Sequence, residues 1–213
     1  MVRTLVSTPA LVALVSCAAL SCDPGTPAAT SPVAEPCGGF PAWESSSYVL
    51  PYGAGESYRV NQANCSGFGH SGFWKFGYDF SMEIGTPVTA ARAGVVLHSM
   101  GGARDGDRTQ TNLVTVAHDD GTILVYSHLT FRGALVDAGD RVEAGEVIAL
   151  SGDTGLTGDL PHLHFSLHSC GALPGLPGGD ESSCPTLPMN FRNTEPNALG
   201  LLPGRSYVAL AVE

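Results

Sequence analysis

Two histidines stand two residues apart in Pro161-His162-Leu163-His164-Phe165, with apolar residues between and after them. On a strand the side chains alternate, so His162 and His164 share one face while Leu163 and Phe165 share the other. One face packs, and the other can hold a metal. A catalytic zinc usually takes three protein ligands drawn from histidine and carboxylate and leaves a position for water, which it activates for hydrolysis. The remaining candidates in distinctive surroundings are His70 in Gly69-His70-Ser71-Gly72, Asp79 in Gly77-Tyr78-Asp79-Phe80 and His128 in Tyr126-Ser127-His128-Leu129. The same alternation also suits hydrogen-bonded structural histidines, so the surrounding elements must decide.

Those elements read as short strands. Charged residues make up 14% of the chain, against 43% hydrophobic residues, 27 glycines and 15 prolines. This composition describes an all-β, mainly antiparallel protein with few or no long helices. Strands are expected at Ser57 to Asn61, Tyr78 to Met82, Pro87 to Ala91 and Gly94 to Ser99, punctuated by Gly or Pro. The clearest hairpin runs from Asn112 to His118, turns at Asp119-Asp120-Gly121 and returns from Thr122 to Leu129. Gly101 to Thr111 is polar and reads as an exposed loop. Asp105, Asp107 and Thr109 have a faint calcium-site spacing within it, but the bidentate acid that should follow is missing. The apolar segment Ser206 to Val212 reads as a closing strand.

A chain of 213 residues accommodates one well-buried domain with extras at its ends. A formal charge of −10 argues against electrostatic binding of nucleic acid or of an anionic membrane. Met1-Val2-Arg3 and the apolar run to Leu20 have the form of a secretory signal. Residues 1–21 are thus expected to be a signal peptide, 22–46 a Pro/Ser/Thr-rich tether, 47–170 the folded domain and 171–213 a disulfide-linked loop with the closing strand. Cys17 and Cys22 both end stretches that resemble the lipobox of bacterial lipoproteins; Cys22, followed directly by the tether, is the preferred lipid attachment point, with Cys17 the alternative. The expected location is the cell envelope, periplasmic or on the outer face. Cys37, Cys65, Cys170 and Cys184 remain, an even number suited to disulfides outside the cytoplasm. Three pairings are possible. Cys37–Cys65 and Cys170–Cys184 are favoured because one pair brackets the domain entry and the other a Gly/Pro-rich loop. No Cys-x-x-Cys spacing supports a zinc ribbon.

Val136 to Leu150 resembles the hammerhead turn of biotinyl and lipoyl carrier domains, yet no lysine stands between its glycines to carry a cofactor. The order of motifs is more informative. His70 and Asp79, then Gly85 to Val96, Tyr126-Ser127-His128-Leu129, Gly139-Asp140-Arg141-Val142, Gly155 to Gly158 and His162-Leu163-His164-Phe165 together resemble the lysostaphin-like (LytM-type) zinc endopeptidases. The resemblance covers about Ser57 to His168. It implies one Zn2+ per chain held by His70, Asp79 and His164, with His162 and His128 as the catalytic histidines and peptidoglycan stem or cross-bridge peptides as substrate. Zinc-activated water has a pKa near about 7, which an imidazole near about 6.5 can deprotonate at little cost; His162 is therefore the expected general base. His128 is expected to stabilise the oxyanion through its N–H. A LytM-type module that binds or activates other wall hydrolases is the alternative. The His70-to-Asp79 offset of nine exceeds the usual four and resembles a long-spacing variant of the family; it places Phe73-Trp74-Lys75-Phe76 beside the metal, as packing or as a substrate wall. His98, His118 and His168 are expected in structural or surface roles, and Tyr126 either in the cleft or over the core.

Overall fold

The computed structural model describes residues 37–67, 69–171 and 184–212. Twelve strands occur among them: β1 Ser57–Gln62, β2 Tyr78–Ser81, β3 Pro87–Thr89, β4 Gly94–Met100, β5 Leu113–Ala117, β6 Ile123–Ser127, β7 Leu129–Ala134, β8 Arg141–Val142, β9 Val147–Ser151, β10 His162–His168, β11 Thr186–Leu187 and β12 Ser206–Val208. A 3-10 turn at Gly72–Trp74 is the sole helical element among the described residues, and none of their helices is long and apolar enough to cross a membrane. The larger sheet runs β12-β1-β2-β10-β6-β5-β4-β8, with β11 also on β10, and the smaller runs β3-β9-β7. All of these strand pairs are antiparallel.

The alternation in β10 is realised. Leu163 and Phe165 are fully buried; Phe165 packs on Phe80, Tyr126 and Phe191, and Leu163 lies opposite Phe80 of β2. Burying such side chains contributes roughly 1.5–3 kcal/mol each. This apolar layer holds β10 between β2 and β6, the two strands it must meet for the site to form. The Asp119-Asp120-Gly121 turn joins β5 to β6 as expected, with Gly121 at φ +84° and the His118 N–H donating to the Thr122 carbonyl at 2.9 Å.

Two local expectations are revised. The strand read as Thr122 to Leu129 breaks at His128, whose φ of +63° ends β6 and starts β7 on a new course. Of the two places expected for Tyr126, it takes the core: it is fully buried and its hydroxyl accepts the Ala91 N–H at 2.8 Å. The closing strand pairs only over Ser206–Val208. The Gly101 to Thr111 segment is a largely exposed loop, as expected, and it also docks on its neighbours: Gly106 N–H donates to the Asp153 carbonyl at 3.0 Å, Gly155 N–H to the Asp107 carbonyl at 2.6 Å, and Thr130 Oγ1 to Asp105 Oδ2 at 2.6 Å. Asp107 is taken up by Thr109 and Gln110, so these acids shape turns instead of facing a cation.

The described residues form one compact unit. The end of the expected tether, 37–46, lies within it, fixed by a Cys37–Cys65 disulfide and by Ser46 Oγ donating to the Asn190 carbonyl at 2.5 Å. Cys170–Cys184 forms the second disulfide. The expected signal segment and both candidate lipid-bearing cysteines, Cys17 and Cys22, lie outside the described residues.

Candidate metal centre

Strand register builds the centre. In the β2–β10 ladder Asp79 lies directly opposite His164, and its Oδ1 sits 2.9 Å from His164 Nδ1. His70 comes from the loop ahead of the 3-10 turn, and its Nε2 lies 3.1 Å from the same carboxylate oxygen while Nδ1 lies 3.1 Å from the Ala63 carbonyl. One donor atom from each of His70, Asp79 and His164 falls within 4.8 Å of the others, the one such group of three among the described residues. His70 and Asp79 are almost wholly buried. Burial acts to raise the Asp79 pKa, but hydrogen bonds and charge from His164 and His70 outweigh it and hold the carboxyl well below the usual range. The centre therefore carries a carboxylate, which suits a cation.

The donor set fits a zinc ion. Two imidazoles and a carboxylate are the ligand types of a catalytic zinc site. His164 Nε2 is buried with no protein hydrogen-bond partner, so the protein alone does not satisfy this ring. The other His70 nitrogen faces a carbonyl, the outer support usual for a ligating histidine.

Two more histidines face this group. The rings of His128 and His162 lie 4.7 Å apart, His128 lies 6.0 Å from the His164 ring, and His162 Nε2 is 3.9 Å from Asp79 Oδ1. His162 Nδ1 donates to the Leu160 carbonyl at 2.7 Å and His128 Nδ1 to the Thr154 carbonyl at 2.6 Å. A carbonyl can only accept, so Nδ1 carries the hydrogen in both rings and Nε2 of each neutral ring offers a lone pair. Burial first, then the charges of His162 and His164, push the His128 pKa down to about 3, so this ring rests neutral.

All five residues singled out by sequence thus meet in one place. The others do not join them. His98 pairs with Thr115, His118 with the Ala93 carbonyl, and fully buried His168 with the Cys184 carbonyl and Ser166. Trp74 lies edge-on to both His164 and His168, at 5.7 and 5.3 Å, and Phe73 packs on His168 at 5.3 Å. These half-buried aromatics buttress His164, and Thr186 ties their segment down by donating to the Phe73 carbonyl and accepting from the Phe76 N–H. Sequence reading missed the carbonyls of Ala63, Thr154 and Leu160 and the buried amide of Asn112; the glycine-rich run Gly152 to Gly158 was the available signal that backbone mattered there.

Comparison with known proteins adds a second line of observation. The sequence model described as Peptidase family M23 matches residues 74–174, a span that holds Asp79, His128, His162 and His164. The chain is 40% identical over 92 residues to the peptidoglycan DD-endopeptidase ShyA of Vibrio cholerae, covering 43% of this chain and 19% of that protein. It is 35% identical over 122 residues to the glycyl-glycine endopeptidase ALE-1 of Staphylococcus capitis, covering 57% and 30%. Among solved structures, lysostaphin from Staphylococcus simulans aligns at 28% identity and a TM-score of 0.44, over 61% of this chain and 47% of that one. The chain spans less than a third of the length of either curated relative.

Proposed function

The chain belongs to peptidase family M23, and from that premise we propose that it is a zinc-dependent metalloendopeptidase that hydrolyses peptide bonds in peptidoglycan stem or cross-bridge peptides. The observation that carries this reading is the convergence of His70, Asp79 and His164 with the His128 and His162 imidazoles beside them. His70, Asp79 and His164 hold the ion. Bound there, zinc supplies Lewis-acid chemistry, acidifying water and polarising a carbonyl.

The protein's own groups manage the proton. His162, with Nδ1–H held by Leu160, presents Nε2 as general base toward the centre. His128 stabilises the developing oxyanion, and the structure sets a condition on that role. Its Nε2 has no hydrogen while the ring is neutral, and the ring is neutral at rest. Donation to the oxyanion therefore requires a proton at His128 Nε2 in addition to the one that His162 takes from water. Two disulfides support an exported protein, since such bonds persist in oxidising compartments. A cell-envelope location with a lipid on Cys22, or alternatively Cys17, completes the proposal.

The test is mass spectrometry of purified peptidoglycan incubated with the zinc-loaded protein, beside a chelator-treated sample. New free peptide ends only in the zinc sample are expected and name the bond cut. Intact peptidoglycan despite one bound zinc per chain would overturn the reading and favour a module that activates other wall hydrolases.

A further inference from the structure

His128 occupies a backbone conformation that few non-glycine residues adopt, φ +63°, between β6 and β7. Such a turn persists only where its surroundings over-determine it. Fully buried Thr154 touches this turn twice. Its carbonyl accepts the His128 Nδ1–H at 2.6 Å, and its hydroxyl donates to the carbonyl of Leu129, the next residue, at 2.8 Å. The same hydroxyl accepts the Asn112 N–H at 2.9 Å. Asn112, also buried, closes the ring: its side-chain amide donates to the Leu129 and Thr130 carbonyls at 3.2 and 3.0 Å, and its own carbonyl accepts the Leu129 N–H at 3.2 Å.

We propose that Thr154 is a positioning residue for His128, fixing the ring's tautomer through its carbonyl and the ring's place through its hydroxyl. A residue present only to fill the core would need neither group. The Thr154 carbonyl is aimed at the imidazole because the hydroxyl anchors the same residue to the turn that carries the imidazole. The glycine that follows makes this approach possible: Gly155 has φ +84°, and a Cβ there would lie 3.3 Å from His128 Nδ1 and collide with Thr111 Oγ1. None of these bonds reaches His70, Asp79 or His164, so the metal ligands stand apart from this clamp.

The inference rests on reading His128 as part of a hydrolytic site, and the experiment separates the two. The full chain is compared with Thr154→Val, which keeps the branched shape without the hydroxyl, and Thr154→Ser, which restores it. Peptidoglycan turnover, zinc stoichiometry and the imidazole proton–nitrogen spectrum are measured. Thr154→Val should lose about 10–100-fold in kcat, the scale of a small misplacement of a catalytic group, with KM within about twofold. Its zinc content should match wild type and its His128 Nδ1–H signal should broaden or shift, while Thr154→Ser restores kcat and spectrum together. Wild-type kcat and an unchanged His128 signal in Thr154→Val, or equal loss in Thr154→Ser, would overturn the proposal. If Thr154→Val does not fold, Thr154→Ala, which leaves room for a water at the two backbone groups, must show the same loss with zinc retained. A wild-type chain that cuts nothing sinks the peptidase reading, whereas the spectrum still decides whether Thr154 positions His128.

Discussion

Replacing His168 should change how the protein responds to acid. Its ring is fully buried, with Nδ1 bonded to the Cys184 carbonyl, Nε2 bonded to Ser166 and the Phe73 and Trp74 rings against it. Burial foremost, with a smaller push from His164, lowers its pKa from 6.5 to about 4, against the opposing pull of the Cys184 carbonyl. The unfolded chain therefore binds a proton below about 6.5 that the folded chain refuses until about pH 4. The stability linked to this neutral ring is fully present above pH 6.5 and drains away as pH falls through that window. At about 1.4 kcal/mol per pH unit the loss reaches about 3 kcal/mol, a large share of a typical domain's stability.

The comparison is wild type against His168→Gln, whose amide can still donate toward Cys184 but does not titrate. Guanidinium unfolding with disulfides intact and chelator present, at half-unit steps from pH 7.5 to 4, gives the difference in stability. Other histidines titrate in both chains and cancel. Wild type should lose about 3 kcal/mol more than the variant across the window. Parallel stability curves would refute the assignment of this acid sensitivity to His168. The site has functional weight because Trp74 bridges His168 and His164, so a proton at His168 places charge under the wall of the metal centre.

Three further outcomes are expected. His164→Ala should abolish zinc binding in elemental analysis, whereas His162→Ala should keep one zinc and lose about 10²–10⁴-fold in turnover; equal zinc loss in both would show the two roles misassigned. Joint Cys37→Ser and Cys65→Ser substitution opens a link spanning 28 residues and should cost about 3–4 kcal/mol by loop entropy, read from the unfolding midpoint, with no change expected if that segment is held by packing alone. Gly155→Ala should lower turnover at least about tenfold with zinc retained, because its left-handed backbone and the collision with Thr111 would displace Thr154; normal turnover would contradict the clamp.

The sequence exposes the strands because a period of two is imposed by the pleat itself, and β10 keeps it through His162, Leu163, His164 and Phe165. The same period ran on unbroken in the strand read as Thr122 to Leu129, which in fact ends before His128. Only the enrichment of histidine in the left-handed region points to the backbone at His128, since neither glycine nor asparagine stands in Ser127-His128-Leu129. The docking of the 101–111 loop was equally hidden, because Gly106 reaches Asp153 and Gly155 reaches Asp107 through backbone N–H groups, which every residue but proline possesses. The ligand set was carried by motif order, and the nine-residue offset between His70 and Asp79 is met by an aromatic turn that packs behind His164.

What separates the legible half of the site from the hidden half is how each part is held. Asp79 and His164 are placed by paired strands whose far faces are buried, so their positions follow from the core. His128 stands at the break after β6 and His162 at the start of β10, and both rings are oriented by carbonyls of the Gly152 to Pro161 segment, so their orientation follows from a loop. A core strand opens only with the whole domain, while a loop can shift for far less free energy. Perturbing that segment should therefore disable proton transfer while the ligands stay in place, whereas damage to the β2–β10 pairing should cost the metal and the fold together. The division also accounts for the glycine at 155, where a Cβ would lie 3.3 Å from His128 Nδ1 and collide with Thr111 Oγ1, preventing this approach of backbone to imidazole.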